Sequence, residues 1–219
     1  MEKYIRTAKI NIEKIVEDLY DFNKIGIITI PHVLTGKAID DLIKSAELNS
    51  HLFKCVNRYE GTAEQEMQTL YIDKVKKNQW VSESLQILNQ FIMEYEVIFK
   101  QIARQAKFYK NDFNKVGFHK YVPGSIGITP HQDYENHINL ISIFNLMGNA
   151  KFYYCKDRNK TGSQEIDSKP ASLVLLRAPR TKNEEPYRPY HYIEPMRDER
   201  LSLNIRRKIK NPSSPPYIL

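Results

Sequence analysis

His131-Gln132-Asp133 sets an imidazole and a carboxylate two residues apart, and His191, Arg200 and Ser202 follow far downstream. On an extended segment, side chains two apart share a face, so His131 and Asp133 are expected to project together while Gln132 turns away. With His191 added from a distant strand, two imidazoles and one carboxylate can occupy one face of a metal ion. The opposite positions then stay open, a donor set that suits a ferrous ion reacting with O2. Arg200 and Ser202, again two apart, supply what a dicarboxylate would need. A planar guanidinium grips a carboxylate with two parallel hydrogen bonds, which a lysine ammonium cannot do. Zinc would also accept the His/His/Asp set, but a zinc hydrolase leaves Arg200 and Ser202 without a purpose.

The chain has six His. His32 follows a strand-ending Pro and His51 lies in a polar segment, so both read as surface residues. The two Cys, at 55 and 155, stand too far apart in sequence to read as a disulfide framework; free thiols in a reducing compartment are expected. A net charge of +7 permits anionic ligands without requiring nucleic acid. No apolar run reaches the length of a membrane span and no secretory leader is visible, so no membrane partner and a cytoplasmic location are expected.

The elements that must position these residues follow from hydrophobic spacing. Ile12, Ile15, Val16, Leu19 and Tyr20 mark an amphipathic helix over 10–22, which Gly26 could end. Ile27 to Ile30 is a short β-branched strand, and Thr35 caps a helix running to about 48. Residues 51–80 read as a loop with short strands near Leu70-Tyr71-Ile72. Ser82 to Ala106 is the longest helix, with an apolar stripe through Leu88, Phe91, Tyr95, Phe99 and Ile102. Beyond Asn111 the texture turns to β, with seven or eight short strands. Helices followed by strands predict an α+β fold: a double-stranded β-helix (jelly-roll) core over 111–210, buttressed by the helical part over 1–110, with both in one domain. The Pro- and Ser-rich residues 211–219 read as an extended tail.

Phe118 to Gly124, Thr129 to Asp133, Ile141 to Leu146, Arg188 to Ile193 and Arg200 to Arg206 together resemble the AlkB-like branch of the Fe(II)/2-oxoglutarate-dependent oxygenases. The resemblance covers about residues 114–208. It implies that His131, Asp133 and His191 are the catalytic iron ligands. It implies that Arg200 pairs with the distal carboxylate of 2-oxoglutarate, with Ser202, Tyr121 and Arg206 as further co-substrate contacts. Fe(II), 2-oxoglutarate and O2 are thus the implied cofactor and co-substrates. His119 and Ser202 stand where AlkB proteins usually carry Asn. The nucleotide-gripping part of AlkB is not recognisable in residues 1–110, and the strand at Gly26 to Pro31 followed by a helix is more like small-molecule members of the superfamily.

The expected activity is hydroxylation of a C–H bond in a small-molecule or nucleotide-like substrate, with release of succinate and CO2. Asp133 fills the iron site that a halide takes in related halogenases, so halogenation is not expected. Tyr134 and His137 are candidate substrate contacts at the mouth. Arg177, Arg180, Tyr187 and Arg188 are candidates on a covering loop, and Met67 and Tyr71 are placed as a lid. Two other readings compete: AlkB-type demethylation of a flipped base in nucleic acid, and a jelly-roll binding protein without catalysis. Oligomeric state is not legible.

Overall fold

The computed structural model describes residues 4–21, 24–59, 63–75, 77–108, 110–179 and 188–210. Three helices come early: α1 (Ile12–Tyr20), α2 (Gly36–Leu48) and α3 (Ser82–Gln105). Each of the first two begins where a side chain satisfies an orphan backbone N–H. Asn11 accepts from Lys14 N at 3.0 Å, and Thr35 accepts from Ala38 N at 3.1 Å. Gly26 does not end α1, which stops at Tyr20. The glycine adopts φ +76° just before the first strand, where an added Cβ would sit 2.3 Å from Arg177 Nε.

Eleven strands make up the β part: β1 (Ile27–Ile30), β2 (Lys54–Arg58), β3 (Gln65–Tyr71), β4 (Lys115–Tyr121), β5 (Ile128–His131), β6 (His137–Met147), β7 (Phe152–Cys155), β8 (Gln164–Ile166), β9 (Leu173–Arg177), β10 (Tyr190–Ile193) and β11 (Arg200–Lys208). All pairings are antiparallel. The order β2-β3-β4-β11-β6-β9-β1 forms a large layer and β5-β10-β7-β8 a small one. The two meet at one register pair, Gln65 opposite Ile128. This nearly closed sheet is the expected jelly-roll core: eight strands lie beyond Asn111 and β1 stands where Ile27 to Ile30 was read as a strand. Strands β2 and β3 form a hairpin in the segment read as a loop with short strands, and β3 brings Tyr71 and Thr69 onto β4.

Side chains on β11 alternate strictly. Leu201, Leu203 and Ile205 join the apolar core between the large layer and the helices, while Arg200, Ser202, Asn204 and Arg206 face the interior between the layers. Helix α3 supplies most of the outer cover. Phe91 and Tyr95 meet Phe144 of β6 edge-on at ring centroid distances of 5.0 and 4.9 Å. A second apolar group, including Tyr121, Ile141, Phe152, Val174 and Ile193, fills the interior around the polar residues. Among the described residues, no helix is long and apolar enough to cross a membrane. The expected tail at 211–219 lies outside the described residues.

Candidate active site

Strands β5 and β10 pair so that His131 lies opposite His191. Their rings stand 4.3 Å apart between centroids, with planes inclined at 55°. Each ring nitrogen Nδ1 faces the carbonyl two residues earlier: His131 toward Thr129 O at 2.9 Å, His191 toward Pro189 O at 3.4 Å. A carbonyl only accepts, so Nδ1 carries the proton in both rings and Nε2 keeps its lone pair for a ligand. Burial, followed by the neighbouring His191, pushes His131 down to about 4. Burial likewise lowers His191. Both imidazoles are therefore neutral at physiological pH, as metal ligation requires.

Asp133 lies two residues beyond the end of β5, not on the strand as the spacing predicted. Its carboxylate nevertheless turns back to the pair, with Oδ2 3.4 Å from His191 Nε2. Its other oxygen, Oδ1, accepts from Arg206 Nη1 at 3.1 Å and lies 3.5 Å from His137 Nδ1. Burial alone would raise this carboxyl, but His137 and the Arg206 charge outweigh it and hold the group well below the usual carboxylate range. Arg206, expected beside the co-substrate, and His137, expected at the mouth, both meet Asp133, and His137 also borders the recess. Arg188 Nη1 donates to the Asp133 backbone carbonyl at 2.8 Å. Gln132 Nε2 in turn donates to Arg188 O, joining the two segments again. Tyr134 is 56% exposed and accepts from Arg58 Nη1. With His137, Arg188 and Pro189 it borders a narrow recess of about 10 Å³, room for about one water, that reaches Asp133 and His191.

Arg200 sits opposite Tyr121 in the β4–β11 register and is only 2% exposed. Its Nη2 donates to Asn145 Oδ1 at 2.6 Å and its carbon Cζ stands 5.8 Å from the Tyr121 ring centre. Nε is buried without a partner, and among the described residues no carboxylate pairs with it. Ser202 is fully buried beside it and accepts from Asn204 Nδ2 at 3.0 Å. A buried cation met only by a neutral amide carries a charge that an anion would offset, because burying an unpaired charge is costly.

Tyr71 and Arg177 are placed differently from the expectation. Tyr71 does not lie over the mouth as a lid; its hydroxyl is 2.6 Å from Nε2 of the interior His119. Arg177 ends strand β9, and its guanidinium donates to the carbonyls of Lys24 and Asp21 just past α1. It therefore works there as a cation at a helix C-terminal end. Arg180 and Tyr187 lie outside the described residues. Sequence reasoning missed Asn145 and the His119–Tyr71 contact. A polar residue inside the apolar run Ile138 to Met147 was the available signal for Asn145, since a buried amide must find a partner.

The donors fit a metal in type and pairing: two neutral imidazoles with free Nε2 atoms, and a charged carboxylate 3.4 Å from one of them. Among the described residues, however, no three such side chains already close around a common point. Asp133 shares its oxygens between His191 and the Arg206–His137 side.

No family model matches the chain, and no curated protein matches it. Solved structures do. A Pseudomonas putida prolyl-4-hydroxylase matches with TM-score 0.67 at 14% identity, over 92% of this chain and 100% of that one. A Trichoplax adhaerens prolyl hydroxylase, solved with a hypoxia-inducible-factor peptide fragment, matches with TM-score 0.65 at 14% identity, over 93% and 94%. The AlkB homologue OsALKBH1 matches with TM-score 0.54 at 14% identity, over 83% and 98%. The chain thus has the fold shared by Fe(II)/2-oxoglutarate oxygenases, AlkB relatives among them.

Proposed function

We propose that this protein is an Fe(II)- and 2-oxoglutarate-dependent oxygenase that hydroxylates a C–H bond of a small-molecule or nucleotide-like substrate. One observation carries the reading. The same interior holds an adjacent His131/His191/Asp133 set and, on β11, a buried guanidinium with no carboxylate to meet it. Together they supply the donor types that an iron site with a keto-diacid beside it would need.

Bound Fe(II), with O2 and 2-oxoglutarate, would supply the oxidising chemistry, converting the co-substrate to succinate and CO2 and placing one oxygen on the substrate. The chain's own residues position the reactants. His131 and His191 present Nε2 atoms fixed by their carbonyl partners. Asp133 brings a charged oxygen, and Arg206 holds that carboxylate ionised. Arg200, with Ser202 and Tyr121 around it, orients the far carboxylate of the co-substrate. The apolar groups around them, Ile141, Val174 and Ile193, exclude water. Arg188 and His137 beside the recess suit a substrate carrying acceptor or anionic groups.

The test is succinate formation from 2-oxoglutarate by the Fe(II)-loaded protein, together with the weak visible band expected on anaerobic mixing. His131→Ala and Asp133→Ala should each abolish both signals. Full turnover by either variant would remove that residue from the site and defeat the reading.

A further inference from the structure

We propose that the substrate of this site is a small anion, and that Arg58 and Arg188 select it by gripping its carboxylate or phosphate at the rim while the carbon to be oxidised points inward. The inference rests on the reading above and narrows the substrate to a charge class.

The recess over His191 and Asp133 has room for about one water, so it admits only the tip of a substrate. The part of the molecule that is recognised must then lie at the rim. Two guanidiniums meet there, on consecutive residues of the loop after β5. Arg188 Nη1 donates to the Asp133 carbonyl at 2.8 Å, and Arg58 Nη1 donates to the Tyr134 hydroxyl. They come from opposite sides. Arg188 precedes β10 of the small layer, whereas Arg58 ends β2 at the edge of the large one.

The hairpin register turns Arg58 toward the site. Val56 lies opposite Met67, whose side chain packs against the interior apolar group. Arg58 and Lys54 each stand two residues from Val56 and so share its face. Both are exposed, because β2 extends the large layer past the cover of the small one as a lip. Lys54 thus adds a third positive charge to that lip.

Each guanidinium spends one N–H on a neutral oxygen. Among the described residues, no carboxylate pairs with Arg58, Arg188 or Lys54. Glu64 and Glu135 of the adjoining segments are exposed and meet neither arginine. Asp133 is the one described carboxylate lining the recess, and Arg206 already holds its Oδ1. The Tyr134 hydroxyl accepts from Arg58, which leaves its own proton for a ligand. Arg58 alone would be ordinary surface charge. Its convergence with Arg188 beside a proposed iron ligand is what marks a binding place. An anionic group there takes charge-assisted hydrogen bonds from two forks, and a neutral one does not.

The experiment is calorimetry on the full chain loaded with Mn(II) and 2-oxoglutarate, using two matched pairs of probes. N-Acetylphenylalanine is set against its amide, and phenyl phosphate against phenol. The wild-type protein should bind at least one anionic member about tenfold or more tighter than its neutral partner, the effect of a hydrogen bond to a charged group. The pair that shows it tells carboxylate from phosphate. Arg58→Gln and Arg188→Gln should each remove most of that preference and leave the neutral member's affinity unchanged. Arg58 is exposed, so its variant serves if Arg188→Gln disturbs the loop. No preference in the wild-type protein, absence of binding included, or a preference that survives in Arg58→Gln, would overturn the proposal. So would a single-stranded oligonucleotide that outcompetes phenyl phosphate and loses affinity steeply on adding salt, since that marks a track for a polyanion. Failure of the underlying reading looks different: the wild-type Mn(II) protein then takes up no 2-oxoglutarate.

Discussion

Arg200 carries a full charge into the interior and meets one amide oxygen there. Burial works against that charge and lowers the guanidinium from its ordinary value. An anion that arrives at this place therefore relieves a cost the folded chain already carries. Arg200→Lys keeps the charge but loses the fork. Binding titrations should show 2-oxoglutarate affinity falling at least tenfold, with metal affinity retained; an unchanged titration would show the fork is not used. At this scale the sequence was informative where spacing is local. The Arg200-x-Ser202 pair announced itself because two apart means one face of a strand, whereas Asp133, past the end of β5, reaches the site by the turn of its loop. The sequence was silent on Arg206 meeting Asp133 and Tyr71 meeting His119, because both contacts join segments that are remote along the chain. No local pattern encodes which of several buried polar groups a side chain will find.

The elements were legible where one face is buried and the other wet. Helices α1, α2 and α3 follow their apolar stripes, and Thr35 caps α2 as its position before the helix foretold. The hairpin of β2 and β3 was not legible. Most of β2 is exposed, so it lacks the alternation that betrays a strand, and its pairing partner rather than its composition holds it extended. The hairpin's seat is Gly117, the one place on β4 where the Tyr71 ring can lie against bare backbone. Gly117→Ala should therefore push β3 off β4. Chemical denaturation should show a loss of about 1–3 kcal/mol, and the Tyr71–His119 contact should loosen with it. If the alanine protein keeps full stability, the ring does not lie so close.

At the scale of the molecule, the proposed ligands come from both layers. His131 and His191 ride on the small layer, while Arg200, Ser202 and Arg206 ride on the large one. A ligand that binds only the assembled interior stabilises it in proportion to its occupancy. Thermal unfolding should shift upward by several degrees with Mn(II) and 2-oxoglutarate together, and the shift should vanish in His131→Ala. An equal shift in that variant would place the ligands elsewhere. The near-closed antiparallel core was legible as a class from the run of short strands. Its closure was not, because it depends on a single meeting of Gln65 with Ile128 and the flanking backbone bonds from Glu66 to Gly127 and from Thr129 to Glu64.

That narrow seam has a mechanical meaning. Away from it, polar contacts of the loop after β5 join it to the large layer: Asp133 pairs with Arg206 of β11 and meets His137 of β6, and Tyr134 accepts from Arg58 of β2. An ion held by His131 and His191, carrying a diacid that ends on Arg200, would be a further stitch across the same gap. The reactants would then be fasteners as well as reagents.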